Sequence, residues 1–342
     1  MMNRVAAVSM ITPLPVVDLR DDPDDLRSTL RKAAHEVGFC YLTGHGVPDG
    51  LAARVLAEAR RLFALPQADK DAIAMVRSPH FRGYTRLGGE LTGGEPDWRE
   101  QIDIGPERAP VGAPGKPDYL WLQGPNQWPA ALPELPAIIA AWDAALSGVA
   151  RTLLRHWAAA LGSRPDVFDA AFADAPATLI KLVRYPARAA TRQGVGAHRD
   201  AGVLTLLLAE PGRPGLQVRP RRDGGWIDVP AVDGAFVVNI GELLEVATGG
   251  YLRATEHRVN LHSAADRISV PFFFNPRLDA QLPVLSLPAE LATRASRRTD
   301  PSDPIFSVYG RNAWKSRLRA HPDVARAHGY PTGTARQTAP RE

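Results

Sequence analysis

His198 and Asp200 stand two apart in Gly196-Ala197-His198-Arg199-Asp200, and His257 follows far downstream. Neutral imidazoles and a carboxylate are donors that divalent iron accepts, and three of them on one face leave three adjacent positions open for a co-substrate and O2. That donor set also leaves the site a net charge of roughly +1. A second pair lies further on: Arg267 and Ser269 are two apart and so project from one face of a strand. A guanidinium beside a hydroxyl clamps a carboxylate, because Arg binds one through two parallel hydrogen bonds. Tyr185, at the end of an earlier β-type run, offers a phenol donor.

Spacing alone does not single these residues out. Nine histidines and 37 acidic residues in 342 positions produce about one H-x-[DE] pair by composition alone. The chain holds a second such pair, His321-Pro322-Asp323, whose proline and place at a surface-type helix end read as a cap. His198 and Asp200 differ because they precede the apolar run 203–209, and His257 lies inside another predicted strand. His262 is the rival third ligand, but its odd offset from His257 turns it to the opposite strand face. His45, between two glycines, reads as a turn residue with a structural hydrogen bond. His35, His156 and His328 read as packing or surface residues, and Glu242 and Glu245 as solvated carboxylates at a strand-to-helix turn. With one cysteine, Cys40, the chain has no internal disulfide and no thiolate cage, so a metal must be held by His, Asp or Glu.

An open metal site needs its ligands on rigid strands whose neighbours exclude water. From about residue 177 the hydrophobic period shifts from 3.6 toward 2, with runs at 178–185, 203–209, 216–219, 226–229, 235–240, 252–261 and 268–274. This predicts a mainly β fold with flanking helices, a sandwich or a double-stranded β-helix (jelly-roll) barrel, of which the barrel offers the open metal site its rigid, water-excluding surroundings. Phe273 shares the parity of Arg267 and walls the pocket, unless Pro271 marks a bulge that resets the phase. Ahead of the barrel we expect a strand at 15–19, a helix capped by Asp24 and stopped by Gly38, a strand at 39–42 and a helix capped by Asp49. Residues 77–129 read as long loops with brief strands, and Pro136 opens a long amphipathic helix reaching Leu161. A short helix at 312–320 and a frayed tail close the chain. The regions are 1–130 (N-terminal helices and strands), 131–176 (scaffold helices), 177–280 (jelly-roll core with the metal site) and 281–342 (C-terminal extension), all one catalytic unit.

Hydrophobic residues are 45% and charged residues 23% of the chain, which excludes wholesale disorder, collagen and coiled coil. No apolar run approaches the roughly 18 residues of a membrane span, and the opening segment is too short for a secretory signal. A soluble cytoplasmic protein is expected. The net charge of +4 comes from arginines spread along the chain, so neither nucleic acid nor membrane is expected as a partner. The densest cluster, 219–222, reads as a solvated hairpin tip. Ala, Arg and Pro richness points to a high-GC bacterial source. The sequence leaves oligomeric state open.

Further motifs join the set: Pro15-Val16-Val17-Asp18, Gly38-Phe39, His45-Gly46-Val47, Arg82-Gly83-Tyr84, Gly124-Pro125 with Trp128-Pro129, Arg184-Tyr185-Pro186, Asn239-Ile240-Gly241-Glu242 and His257-Arg258-Val259. Together they resemble the isopenicillin N synthase-like family of Fe(II)/2-oxoglutarate-dependent dioxygenases over nearly the whole chain. The likeness is greatest to bacterial members, including the ethylene-forming type, in Gly83-Tyr84 followed by Gly89-Glu90-Leu91-Thr92 and in Tyr309-Gly310. The resemblance implies an oxidoreductase in which His198, Asp200 and His257 ligate Fe(II). Arg267 and Ser269 would grip the distal carboxylate of 2-oxoglutarate, with Tyr185 as a helper. O2 and 2-oxoglutarate would be consumed, succinate and CO2 released, and a small-molecule substrate hydroxylated, desaturated or cyclised. Substrate contacts are expected from Arg82, Tyr84, Arg99, Arg184 and Phe273. Two departures stand out. The middle residue of the H-x-D motif is commonly small or hydroxylic, and here Arg199 either faces solvent, steers an acidic substrate or lies over the co-substrate. Arg184, if buried, needs a structural carboxylate or an anionic substrate. Two other readings stay open: an Fe(II) oxidase of the isopenicillin N synthase type that uses no 2-oxoglutarate, and a zinc hydrolase or non-catalytic binding module.

Overall fold

The computed structural model describes residues 13–187, 192–220, 224–261, 265–296 and 300–331. Their strands are β1 (Val16–Asp18), β2 (Phe39–Thr43), β3 (Gly83–Thr85), β4 (Leu91–Thr92), β5 (Glu95–Pro96), β6 (Glu100–Ile104) and β7 (Leu179–Tyr185). These are followed by β8 (Arg192–His198), β9 (Leu204–Ala209), β10 (Leu216–Arg219), β11 (Ile227–Asp228), β12 (Phe236–Ile240), β13 (Glu256–Leu261) and β14 (Arg267–Phe274). The helices are α1 (Pro23–Glu36), α2 (Asp49–Ala64), α3 (Gln67–Ala72), α4 (Leu135–Ala160), α5 (Glu242–Ala247), α6 (Ala289–Ala292), α7 (Tyr309–Ala320) and α8 (Pro322–Ala327).

Eight strands form one sheet in the order β1-β2-β12-β9-β14-β7-β6-β3, four form a second in the order β11-β10-β13-β8, and β4 pairs with β5. Alternation assigns each strand residue of the large sheet to one of two faces. Val238, Ile240, Leu204, Leu206, Ile268, Val270, Phe272 and Phe274 enter the main core with Leu26, Leu30, Leu62 and Trp142 from the helices. On the opposite face Phe39, Tyr41 and Val237 pack on Leu216 and Val218 of the small sheet. Val183 and Tyr185 likewise meet Val195 and Val259. Two sheets facing each other across these small cores are the jelly roll.

The helix α4 is long and apolar enough by length and composition to cross a membrane. Here it packs on α1, α2, β9 and β14 and buries Trp142, Leu146, Leu153 and Trp157 in the core. This is the scaffold that its amphipathic pattern predicts. Several local expectations are corrected. Asp22, one residue before Pro23, caps α1 by accepting from the Asp24 amide, and α2 begins at Asp49 with no side-chain cap. The strand β8, Arg-Gln-Gly-Val-Gly-Ala-His, was not anticipated because glycines and polar residues hide its period. In the segment read as long loops with brief strands, two of those strands, β3 and β6, extend the large sheet, so strands before residue 130 share it with the jelly-roll core. The C-terminal helix starts earlier, at Tyr309, and α8 follows it. The tip of the hairpin at 221–223, His262 and the tail from residue 332 lie outside the described residues.

Candidate active site

The last residue of β8, His198, sits directly opposite His257 of β13 in the ladder, with ring centroids 4.3 Å apart. Two residues after β8, Asp200 Oδ1 lies 3.6 Å from His198 Nε2 and 3.7 Å from His257 Nε2. The Nδ1 atoms face backbone carbonyls, that of Gly196 at 2.8 Å for His198 and that of Thr255 at 3.1 Å for His257. A carbonyl accepts and cannot donate, so each Nδ1 carries the proton and each Nε2 aims a lone pair at the carboxylate. Three electron pairs converging in a half-buried space call for a cation, and the donor set suits Fe(II). Among the described residues no other group of three His, Cys, Asp or Glu side chains converges this way.

The second carboxylate oxygen is already held. Thr205 Oγ1 donates to Asp200 Oδ2 at 2.6 Å and Asn239 Nδ2 at 2.8 Å, which leaves Oδ1 free for the ion. These two residues face each other across β9 and β12. The sequence reading missed them, although a lone polar residue in an apolar strand was the available signal. Outer partners of this kind set ligand orientation, so Asn239→Ala or Thr205→Val should weaken Fe(II) binding roughly 10–100-fold in a metal-competition titration.

The electrostatics divide the two histidines. Burial and then the neighbouring His198 push the His257 imidazole down to about 4. Burial opposes charge on His198 too, but the hydrogen bond and charge of Asp200 outweigh it and raise its pKa above the usual imidazole value. Asp200 is held well below the usual carboxylate range, because His257, His198 and Thr205 outweigh its burial.

On β14, Arg267 and Ser269 are each 2% exposed. The Arg267 guanidinium lies 4.9 Å over the ring of Tyr185, its register partner on β7, and its Nε and Nη1 have no hydrogen-bond partner among the described residues. A buried cation with unused donors fits an arriving carboxylate. Tyr185 presents its ring face to this cation. The β14 register runs unbroken past Pro271 against β7 and β9, so no bulge resets the phase.

A cavity of about 840 Å³ opens on His198 and Asp200, lined also by Arg82, Arg99, Arg199 and Phe273. Arg99 is ion-paired to Glu90 and Asp97, and Glu90 also holds Lys181. Arg199 donates to the Ala254 carbonyl from the cavity wall. Two expected substrate contacts are not there. Tyr84 donates to Glu100 at 2.5 Å, and Arg184 pairs with Glu100 at 2.6 Å and Asp266 at 2.7 Å. Parity explains both: Glu100 and Arg184 are register partners, and Tyr84 pairs with Ile102 on the same face of β6, away from the barrel interior. The half-buried Arg184 therefore has structural partners.

Two further readings change. Glu242, expected to be solvated, lines the cavity, and burial pushes its carboxyl up to about 7. His321 is no surface cap: it is 1% exposed between α7 and α8, with Nε2 3.6 Å from Glu90 Oε1. His45 accepts from the Val47 amide, as a turn histidine should. The helix α7 supplies Ala313, Lys315, Arg317 and Arg319 to the cavity, a wall the sequence reading did not assign.

A jelly roll in which two histidines and one carboxylate converge beside an open cavity defines a non-haem iron oxygenase. Comparison with known proteins makes the class specific. The family model described as "non-haem dioxygenase in morphine synthesis N-terminal" matches residues 14–131, and that of the 2OG-Fe(II) oxygenase superfamily matches residues 177–276. The chain is 32% identical to the 2-oxoglutarate-dependent dioxygenase frbJ of Dothideomycetidae sp. (strain 11243), covering 91% of this chain and 90% of that one. It is 33% identical to the homoarginine-6-hydroxylase 2-ODD-C23 of Glycine max, covering 89% and 94%. A solved 2OG-Fe(II) oxygenase family protein of Caulobacter crescentus superposes with a TM-score of 0.73 at 26% identity, covering 90% and 99%. The chain belongs to the 2OG-Fe(II) oxygenase superfamily, and it is a 2-oxoglutarate-dependent dioxygenase, an oxidoreductase that uses Fe(II), 2-oxoglutarate and O2.

Proposed function

We propose that His198, Asp200 and His257 hold the iron, that Arg267 and Ser269 bind the far carboxylate of 2-oxoglutarate, and that a small polar molecule is oxidised in the adjoining cavity. The convergence of two imidazole lone pairs on Asp200 Oδ1 carries this reading. Fe(II) held there would, with O2 as oxidant and 2-oxoglutarate as two-electron co-substrate, supply the oxidising power for a C–H bond, with succinate and CO2 as co-products. The protein's own share is positioning. Thr205 and Asn239 keep Oδ1 turned toward the ion, and the backbone carbonyls of Gly196 and Thr255 fix the imidazole tautomers. Arg267, anchored over Tyr185, sets the co-substrate's direction. Phe273 and the paired Arg99 wall the cavity, and hydroxylation, desaturation or cyclisation follows from which C–H bond they bring close.

The motifs of the first third and the H-x-D segment support placing the chain in the isopenicillin N synthase-like branch. Composition supports a bacterial source, while the two relatives named above are fungal and plant proteins. A cytoplasmic location is part of the same proposal. The test is stoichiometry: purified enzyme with Fe(II), 2-oxoglutarate and candidate substrates should release one succinate and one CO2 per O2 consumed. Substrate-dependent O2 uptake without succinate would replace this reading with the oxidase that uses no 2-oxoglutarate.

A further inference from the structure

Among the described residues four arginines carry a buried guanidinium nitrogen without a hydrogen-bond partner: Arg27, Arg82, Arg99 and Arg267. Arg27 is ion-paired to Asp24, and Arg99 to Glu90 and Asp97. Arg267 has the 2-oxoglutarate carboxylate as its counter-ion under the function proposed above. Arg82 has none.

Its position is built. Arg82 is 7% exposed and lines the same cavity as His198 and Asp200. Nη2 donates to the Leu122 carbonyl at 3.0 Å, and the buried Nε has no hydrogen-bond partner among the described residues. A Cβ at Gly105 would fall 2.2 Å from Nη2, so the guanidinium rests where a larger residue would displace it. The following residue, Gly83, has φ +116, which turns Arg82 out of the alternation that sends Tyr84 to the far face. Nearby carboxylates are committed elsewhere: Asp103 to Lys181 and Arg317, and Glu107 to Asn126 and Trp128. Burial and then the charge of Arg317 pull the Arg82 pKa down to about 10, the mark of a cation lacking its counter-ion.

We infer that Arg82 receives a carboxylate of the substrate, which makes the substrate a small carboxylic acid held with its acid group on Arg82 and a C–H bond toward His198 and Asp200. This rests on the oxygenase reading for the reaction and on the orphaned guanidinium for the acid. Arg99, Lys181 and Arg317 are already neutralised by carboxylates, and Arg108, also in the lining, donates to the Pro176 carbonyl, which leaves Arg82 as the deeply buried guanidinium of this wall with an unused donor. One guanidinium matches a carboxylate; a phosphate dianion would call for a second cation.

Arginine Nε–H NMR signals test it in the full chain loaded with Zn(II) and 2-oxoglutarate, using acetate and acetamide as probes. Acetate should shift, saturably and with a dissociation constant on the order of millimolar, the signal that disappears in Arg82→Gln, while acetamide leaves it in place. Should Arg82→Gln not fold, Arg82→Lys identifies the same signal. Gly105→Ala, which keeps the charge but displaces the guanidinium, should weaken acetate about tenfold or more. An Arg82 signal indifferent to acetate, or equally shifted by acetamide, overturns the inference. Failure of the underlying reading shows separately, as an Arg267 signal that does not respond to 2-oxoglutarate.

Discussion

His257→Ala should abolish substrate-dependent succinate release and lower Fe(II) affinity by more than the roughly 10–100-fold that loss of an outer partner produces. The variant leaves two donors, and the remaining Nε2 and Oδ1 no longer enclose one side of an ion. His198→Ala should behave alike. His321→Ala is the control: its imidazole is buried against Glu90 and away from Asp200, so the variant should lose thermal stability while binding Fe(II) normally. The pH dependence carries a sign. Metal binding needs both Nε2 atoms unprotonated, and His198 holds a proton to a higher pH than a free imidazole does. Affinity should therefore be full at alkaline pH and fall as pH drops through the His198 pKa, which lies above 6.5. The sequence alone places that decline below about 6. His257, at about 4, steepens the fall only in stronger acid. Competition titrations at several pH values decide it, and an affinity flat from pH 5 to 8 would exclude histidine ligation.

Arg267→Met should weaken 2-oxoglutarate binding roughly 30- to 5,000-fold, the equivalent of the 2–5 kcal/mol lost when one member of a buried, hydrogen-bonded charge pair is truncated. Methionine keeps the packing over Tyr185 and removes only the charge and its donors. Two further readouts separate this role from a structural one. Fe(II) affinity in the absence of 2-oxoglutarate should be unchanged, because Arg267 is no part of the metal triad. The melting temperature without 2-oxoglutarate should rise, because an unpaired buried cation has been removed. A variant that melts lower yet binds 2-oxoglutarate at wild-type strength would make Arg267 a packing residue.

Much of the site is local in origin. The interval of two in Arg267-x-Ser269 holds on any strand, and the apolar alternation of β7, β9, β12 and β14 marks both the fold and the inward face. His198 and Asp200 are close in sequence, and His257 stood out as the histidine inside a strand-like run. The strand β8 was invisible for the opposite reason, since its glycines and polar residues carry no period.

Residue type and parity, together with the family resemblance, were thus enough to point to the jelly roll, to His198, Asp200 and His257, and to Arg267 and Ser269 on one strand face. Everything that depends on a partner across the sheet had to wait for the fold. Arg82, Tyr84, Arg99 and Arg184 look alike as candidate contacts in the chain. Register sends Tyr84 and Arg184 to Glu100 on the outer face, pairs Arg99 with Glu90 and Asp97, and leaves Arg82 without a carboxylate. Whether a buried charge is neutralised is decided by which distant residue the folded chain brings within about 4 Å, and no local pattern encodes that distance.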